Sequence, residues 1–230
     1  MKAYVITIDG NEISEKGSAA CIKSSWDCGN EFTVETFEAS TPDVVDEQLK
    51  QYSIEWDYPW VGEVLDFRSG LKKSAYRTQN PKARIACALS HYRLWKKSLT
   101  EMEDILVLEH DSLFLKKLDF NKILDSNYGI IGINDPRGAT RRASVFHAAI
   151  QQSKNDVLHV PKIDVHNVPQ GLAGNSAYII KPWAADMLLE LVKSYGLWPN
   201  DAIMCYQLLP HLGVTKQYYT RIQGLKSTTT

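Results

Sequence analysis

Glu109, His110 and Asp111 follow directly on the apolar run Ile105-Leu106-Val107-Leu108. Two carboxylates two residues apart point to the same side if the backbone is still extended. Such an oxygen pair suits a hard divalent cation, whose remaining positions can take substrate phosphates. A further acid, Asp201, follows Trp198-Pro199-Asn200. A carboxylate there can serve as a general base for an attacking hydroxyl; an Asp in a helix's first turn is also favoured simply by the helix dipole. Arg84, Ser90 and His91 precede the apolar run. Arg84 can approach a diphosphate or stay an exposed cation, and His91 can shape a site or simply pack. Gly174, Asn175 and Ser176 are small or amide side chains that suit a hydroxyl-rich ligand, or a plain tight turn. Trp198 can stack on a sugar ring or fill the core.

These residues need elements to hold them. Ile85, Ala88, Leu89, Tyr92, Trp95 and Leu99 recur at helical spacing and predict a helix with one apolar stripe. The 105–108 run predicts a strand covered on both faces. In open α/β sheets, ligands bind just beyond the carboxyl ends of strands, where Glu109 and Asp111 stand. Tyr4 to Asp9 predicts a first strand with Thr7 and Asp9 near its carboxyl end. A weak helix is expected over 14–24, a strand over Phe32 to Phe37 and a short helix over Pro42 to Tyr52. Residues 53–82 interleave Trp56, Tyr58, Trp60, Phe67 and Tyr76 with Gly and charge, and predict an irregular excursion, either an aromatic minicore under a loop or a substrate lid or sugar platform. Tyr128 to Asn134 is another strand. Residues 135–170 predict a long loop with a β-hairpin near Val157 to Val168. Small residues from Gly171 precede a strand ending at Ile180. Pro182 to Lys193 is a helix closed by Gly196. Asn200 is expected to cap a helix over Asp201 to Leu209, and the tail from Tyr218 to Thr230 to add a final strand before it frays. Strands alternating with helices predict an α/β class with a mostly parallel sheet. Residues 1–230 are expected to form a single domain.

The net charge is −1, so there is no overall basic footprint for nucleic acid, although Arg137, Arg141 and Arg142 form one local cluster. No apolar stretch approaches the ~20 residues that span a bilayer. The start has no signal-peptide pattern. Cys21, Cys28, Cys87 and Cys205 form no CxxC pair, which predicts reduced thiols in a cytoplasmic protein.

The stretch Ala86-Cys87-Ala88-Leu89-Ser90-His91 with Trp95 resembles the helix signature of glycosyltransferase family 25. Its next motif, an apolar strand ending in Glu-Asp-Asp, is matched by Ile105 to Asp111 with one change. A small-residue segment followed by Tyr, two apolar residues and a helix matches Gly171 to Leu189, and a later acidic residue matches Asp201. The Gly224 to Thr230 tail also resembles that of phage-encoded relatives. The resemblance implies a GT-A type, Rossmann-like fold. It implies inverting transfer of a hexose, galactose or glucose, from a UDP-sugar to a hydroxyl of a glycan such as lipopolysaccharide, assisted by Mn2+ or Mg2+. By this match Asp111 is a metal ligand. Glu109 is a second ligand or ribose contact, or else pairs with an arginine of the preceding helix. Thr7, Asp9, Arg84, Ser90, His91 and His110 face the donor, and Asp201 is the base. Lys226 and the Ser/Thr tail would close over phosphates, or fray. His110 departs from the family's Asp, which lowers the negative charge at the metal. That departure keeps a catalytically inactive nucleotide-sugar-binding module as an alternative; transfer to a modified nucleobase or a protein side chain is another.

Overall fold

The 105–108 run becomes the centre of a sheet because it can be buried on both sides. Residues 105 to 108 are fully buried, and they alternate between two apolar cores. Ile105 and Val107 face one and Leu106 and Leu108 the other. The structure is a computed structural model describing residues 1–140, 142–226 and 228. Arg141 of the arginine cluster, and Ser227, Thr229 and Thr230 of the tail, lie outside the described residues.

In chain order the elements are β1 (Lys2–Thr7), α1 (Glu12–Asp27), β2 (Val34–Glu38), a 3-10 turn (Pro42–Val44) running into α2 (Val45–Tyr52), β3 (Glu63–Asp66), β4 (Leu71–Ser74), α3 (Pro81–Glu101), β5 (Ile105–Glu109), β6 (Ser112–Phe114), α4 (Phe120–Leu124), β7 (Ile130–Gly132), α5 (Ala143–Gln151), β8 (Val157–His159), β9 (Ala177–Ile180), α6 (Pro182–Tyr195), α7 (Asn200–Ile203), β10 (Leu212–Thr215) and β11 (Thr220–Ile222). Seven strands form one sheet in the order β2-β1-β5-β9-β7-β10-β8. Strands β2, β1, β5, β7 and β10 run one way, while β9 and β8 run against them. The class is therefore the expected one, an α/β Rossmann-like sheet, mostly parallel and flanked by helices.

Helix α3 starts where Asn80 Oδ1 accepts a hydrogen bond from the Ala83 N–H and Pro81 takes the first position. Its stripe packs Leu89, Leu94 and Trp95 into the core shared with Leu188 and Val192 of α6. Helix α1 covers the other face with small residues, Ser14, Gly17, Ser18, Cys21 and Ser25. It therefore sits close. A Cβ on Gly17 would come within 2.7 Å of the His110 carbonyl oxygen.

Several expectations are corrected. Residues 53–82 contain a β3–β4 hairpin as well as an aromatic cluster, in which Trp56 stacks on Trp60 and Tyr58 on Tyr76. The hairpin expected near 157–168 is absent: β8 instead pairs antiparallel with β10 at the sheet edge, and α5 fills part of the expected loop. The helix expected over 201–209 is only Asn200–Ile203, with Pro199 at its N-cap and no side-chain cap. The expected tail strand is present as β11, on the unpredicted strand β6.

Candidate active site

A cavity of about 840 Å3 opens beyond the carboxyl ends of β1 and β5. Residues from α3, the end of β5, the 171–175 segment, α7 and the tail line it, and they bring most of the expected residues together. Arg84, Ser90, His91, Glu109, His110, Asp111, Gly174, Asn175, Asp201 and Lys226 all face this space.

Four expected residues do not. Thr7 turns its hydroxyl to Ser18 Oγ at 2.7 Å, and its neighbours Ile6 and Ile8 line the cavity instead. Asp9 is exposed in the turn after β1. Ser176 is buried behind the cavity; its carbonyl accepts the Glu109 N–H at 2.7 Å and the Ser112 hydroxyl. Trp198 is fully buried, because the 53–60 segment folds over it. Tyr58 packs on its ring and the Lys73 ammonium lies 4.2 Å from its centre. A sugar cannot reach that ring.

The backbone turns at His110 and Asp111, so the extended geometry expected after Leu108 ends one residue too soon for the two acids to align. Glu109 Oε1 lies 3.2 Å from His91 Nε2, so its partner is a histidine of the preceding helix, where an arginine was the expected one. Burial pushes the Glu109 carboxyl up, but the hydrogen bond from His91, with the electrostatic pull of His91, His110 and Arg84 around it, outweighs it and holds it below the usual range. Burial lowers the His110 imidazole, partly offset by Glu109. Asp111 Oδ1 is buried with no hydrogen-bond partner. Burial first, and then the charge of Glu109, push the Asp111 carboxyl up to about 7. Gln223 holds this turn from below. Its N–H donates to the Asp111 carbonyl at 2.7 Å, and its amide Nε2 lies within 3.2 Å of the Gly17, His110 and Ser112 carbonyls.

Asp201 sits on α7. Burial raises its carboxyl, while the charge of Arg84 and a hydrogen bond from the Tyr76 hydroxyl pull the other way. Asn175 is 7 % exposed with both amide atoms unpartnered, and Arg84 Nε is likewise buried without a partner. A cavity with these orphaned groups is built for a polar ligand, because unpaired buried polar atoms are costly otherwise.

Sequence reasoning missed Cys87 as a cavity residue and offered Tyr76 only as one aromatic of a lid or platform. Cys87 lies three residues from Arg84 and four from His91, so helical spacing already put it on their face. Tyr76 belongs to an irregular stretch where no periodicity marks a face.

Two donor sets for a cation come into question. Ligand atoms of Cys87, His91 and Glu109 lie within 4.8 Å of one another. That sulfur-nitrogen-oxygen set suits a softer ion than Mn2+ or Mg2+, and His91 Nε2 is already engaged by Glu109. The orphaned Asp111 oxygen beside the charge of Glu109 fits a hard cation. Of the arginine cluster, Arg137 is neutralised by Asp135 and Arg142 by Asp164.

In a mostly parallel α/β sheet, acids at the carboxyl end of a central strand stand where ligands bind. The sequence profile of glycosyltransferase family 25, described as an LPS biosynthesis protein family, matches residues 34–204. The chain belongs to that family, and it is a glycosyltransferase. No curated protein matches it. Among solved structures it is similar to a galactosyltransferase, LgtC, in complex with donor and acceptor sugar analogues, at 11 % identity and TM-score 0.41 over 91 % of this chain and 70 % of that one. It is also similar to the apo form of mouse xyloside xylosyltransferase 1, at 8 % identity and TM-score 0.45 over 90 % and 80 %. The apo bifunctional glycosyltransferase WbbM matches at 9 % identity and TM-score 0.44, over 94 % of this chain and 38 % of that one. Nothing about substrate follows from likenesses this distant. No helix among the described residues is long and apolar enough to cross a membrane.

Proposed function

We propose that this glycosyltransferase moves a hexose, galactose or glucose, from a UDP-sugar to a hydroxyl of a glycan, with inversion at the anomeric carbon. The observation that carries the reading is the buried, unpartnered Asp111 Oδ1 in a cavity shared with the raised carboxyl of Asp201. Asp201 takes the acceptor proton as the acceptor oxygen bonds to the anomeric carbon and the bond to the diphosphate breaks. A raised carboxyl is a stronger base than an ordinary Asp, which suits that task. Tyr76 orients Asp201 by its hydrogen bond. Arg84 stands where it can meet the diphosphate, and Asn175 offers a donor and an acceptor to sugar hydroxyls. A divalent cation bound here would be held by Asp111 with Glu109 beside it, and would neutralise charge on the leaving nucleotide. The four free thiols accord with a reducing cytoplasm.

Calorimetry with UDP-galactose, UDP-glucose and UDP-N-acetylglucosamine, each with manganese and with chelator, tests this. One donor is expected to bind in a manganese-dependent way, and Asp111→Asn to abolish it. Donor binding that is unchanged in Asp111→Asn would sink the assignment. A second reading, a donor-binding module without turnover, is favoured by His110 in place of the family's Asp. It predicts binding with neither transfer nor hydrolysis of the donor.

A further inference from the structure

Behind Glu109 lies a row of buried polar groups that the reaction above does not use. Trp95 Nε1 is 2.9 Å from the Tyr178 hydroxyl, and that hydroxyl is 2.9 Å from His91 Nδ1. His91 Nε2 then meets Glu109 Oε1. Trp95, Tyr178 and His91 are fully buried. The row follows from the fold. His91 and Trp95 are one turn apart on α3. Tyr178 on β9 stands opposite Val107 on β5, and Glu109 two residues further projects from the same face of the pleat.

With His91 neutral, the donor inventory orders these bonds. An indole N–H only donates, so the Tyr178 oxygen accepts from Trp95. The phenol proton then points to its other partner, His91 Nδ1. A neutral imidazole accepting at Nδ1 carries its proton on Nε2, where it donates to Glu109. We propose that Trp95 and Tyr178 are positioning residues that lock His91 in the Nε2–H tautomer, so that His91 anchors one oxygen of Glu109 and leaves the other for the cavity's ligand. The proposal rests on the donor-site reading only in taking Glu109 as a ligand-facing group. The tautomer itself is independent of turnover.

The lock also removes His91 from the neighbouring Cys87–His91–Glu109 set. A metal at Nε2 would move the proton to Nδ1. It would then face an oxygen already accepting from Trp95, and the phenol proton would lose its partner.

The test is long-range proton–nitrogen NMR of protein labelled at histidine, without ligand. The wild type should carry the His91 proton on Nε2. Glu109 alone could impose the same tautomer, so variants separate the two causes. In Glu109→Gln the proton should stay on Nε2 by about tenfold, the worth of one buried hydrogen bond. In Glu109→Gln with Trp95→Phe it should distribute over both nitrogens. A proton on Nδ1 in the wild type, or its move there in Glu109→Gln alone, overturns the proposal. Zinc ions provide an arm that needs no variant: they should leave the His91 nitrogen signals unchanged, and a shift of Nε2 on adding zinc, with the proton moving to Nδ1, would also overturn it. If the tautomer is as stated but no UDP-sugar binds, the donor reading fails and the lock stands.

Discussion

Asp111 carries its proton up to about 7, against 3.8 for an ordinary Asp. Its folded-state value is the higher one, so protonation favours the fold. The cost of keeping it ionised is absent below about 3.8 and fully felt above about 7. Asp111→Asn removes that cost along with the carboxylate. Its melting temperature should exceed the wild type's at pH 8, by roughly 2–4 °C if solvent screening leaves ~1 kcal/mol of the effect. The two should coincide at pH 3.5, and equal melting temperatures at both values would contradict the burial argument. The same titration makes cation-assisted donor binding strengthen as pH rises through about 7. Asp201 is likewise raised by burial, and the Tyr76 hydroxyl holds it back. Tyr76→Phe should shift the acid limb of the kcat profile to higher pH, because the ionised base loses a donor; a shift to lower pH would mean Tyr76 stabilises the protonated form. Glu109, Asp111 and Asp201 were legible because acids at strand and helix ends stand out by type. Their partners were not. The pairing of Glu109 with His91 depends on how α3 lies on the sheet, which spacing alone does not specify.

The elements legible from sequence are those with bulky apolar patterns: β1, β5, α3 and α6. Helix α1 read weakly because its buried face is Ser, Gly and Cys. Close packing on the His110 carbonyl, which those small residues permit, is what the hydrophobic period cannot register. The direction of β9 was also invisible, since an apolar strand reads the same either way. The 171–175 segment meets α7 at contact distance. A Cβ on Gly171 would lie 2.5 Å from the Met204 carbonyl oxygen and 2.9 Å from that of Asp201, both backbone atoms that cannot swing aside. Gly171→Ala should therefore cost about 1–3 kcal/mol, as overpacking does. It should also lower kcat more than a remote variant of equal stability, because the push is delivered to the Asp201 backbone. Denaturant melts paired with kinetics check both halves, and a stable variant with full activity would show that α7 yields freely.

The cavity wall is drawn from stretches as far apart as Ile6 and Thr228. Such an enclosure is a property of the whole chain, and Lys226 lining it is one of the two outcomes read for the tail. The thiols sample the whole molecule, two fully buried and two half-buried. Cys21 and Cys205 are fully buried, with their thiols pushed up by burial to about 12 and about 11. Cys28 is half-buried on the surface, and Cys87 faces the cavity with its thiol likewise pushed up by burial, so that it reacts slowly. Brief alkylation of the native protein followed by mass spectrometry should spare Cys21 and Cys205. A bound nucleotide-sugar should protect Cys87 and leave the rate at Cys28 unchanged. Protection of Cys28 instead would put the ligand elsewhere.

The clamp of Gln223 on the Asp111 turn also bears on the order of events during synthesis. Every acid of the site is in place in the chain by residue 201, yet the turn that carries Asp111 is also clamped by residues 220–223, which are made later. Closing so distant a contact is slow relative to local structure. A nascent chain should thus hold its sheet before it can hold a donor. A chain stopped at Tyr219 should retain strand and helix by circular dichroism and fail to bind nucleotide-sugar, so that an interrupted product is inert and does not compete for substrate.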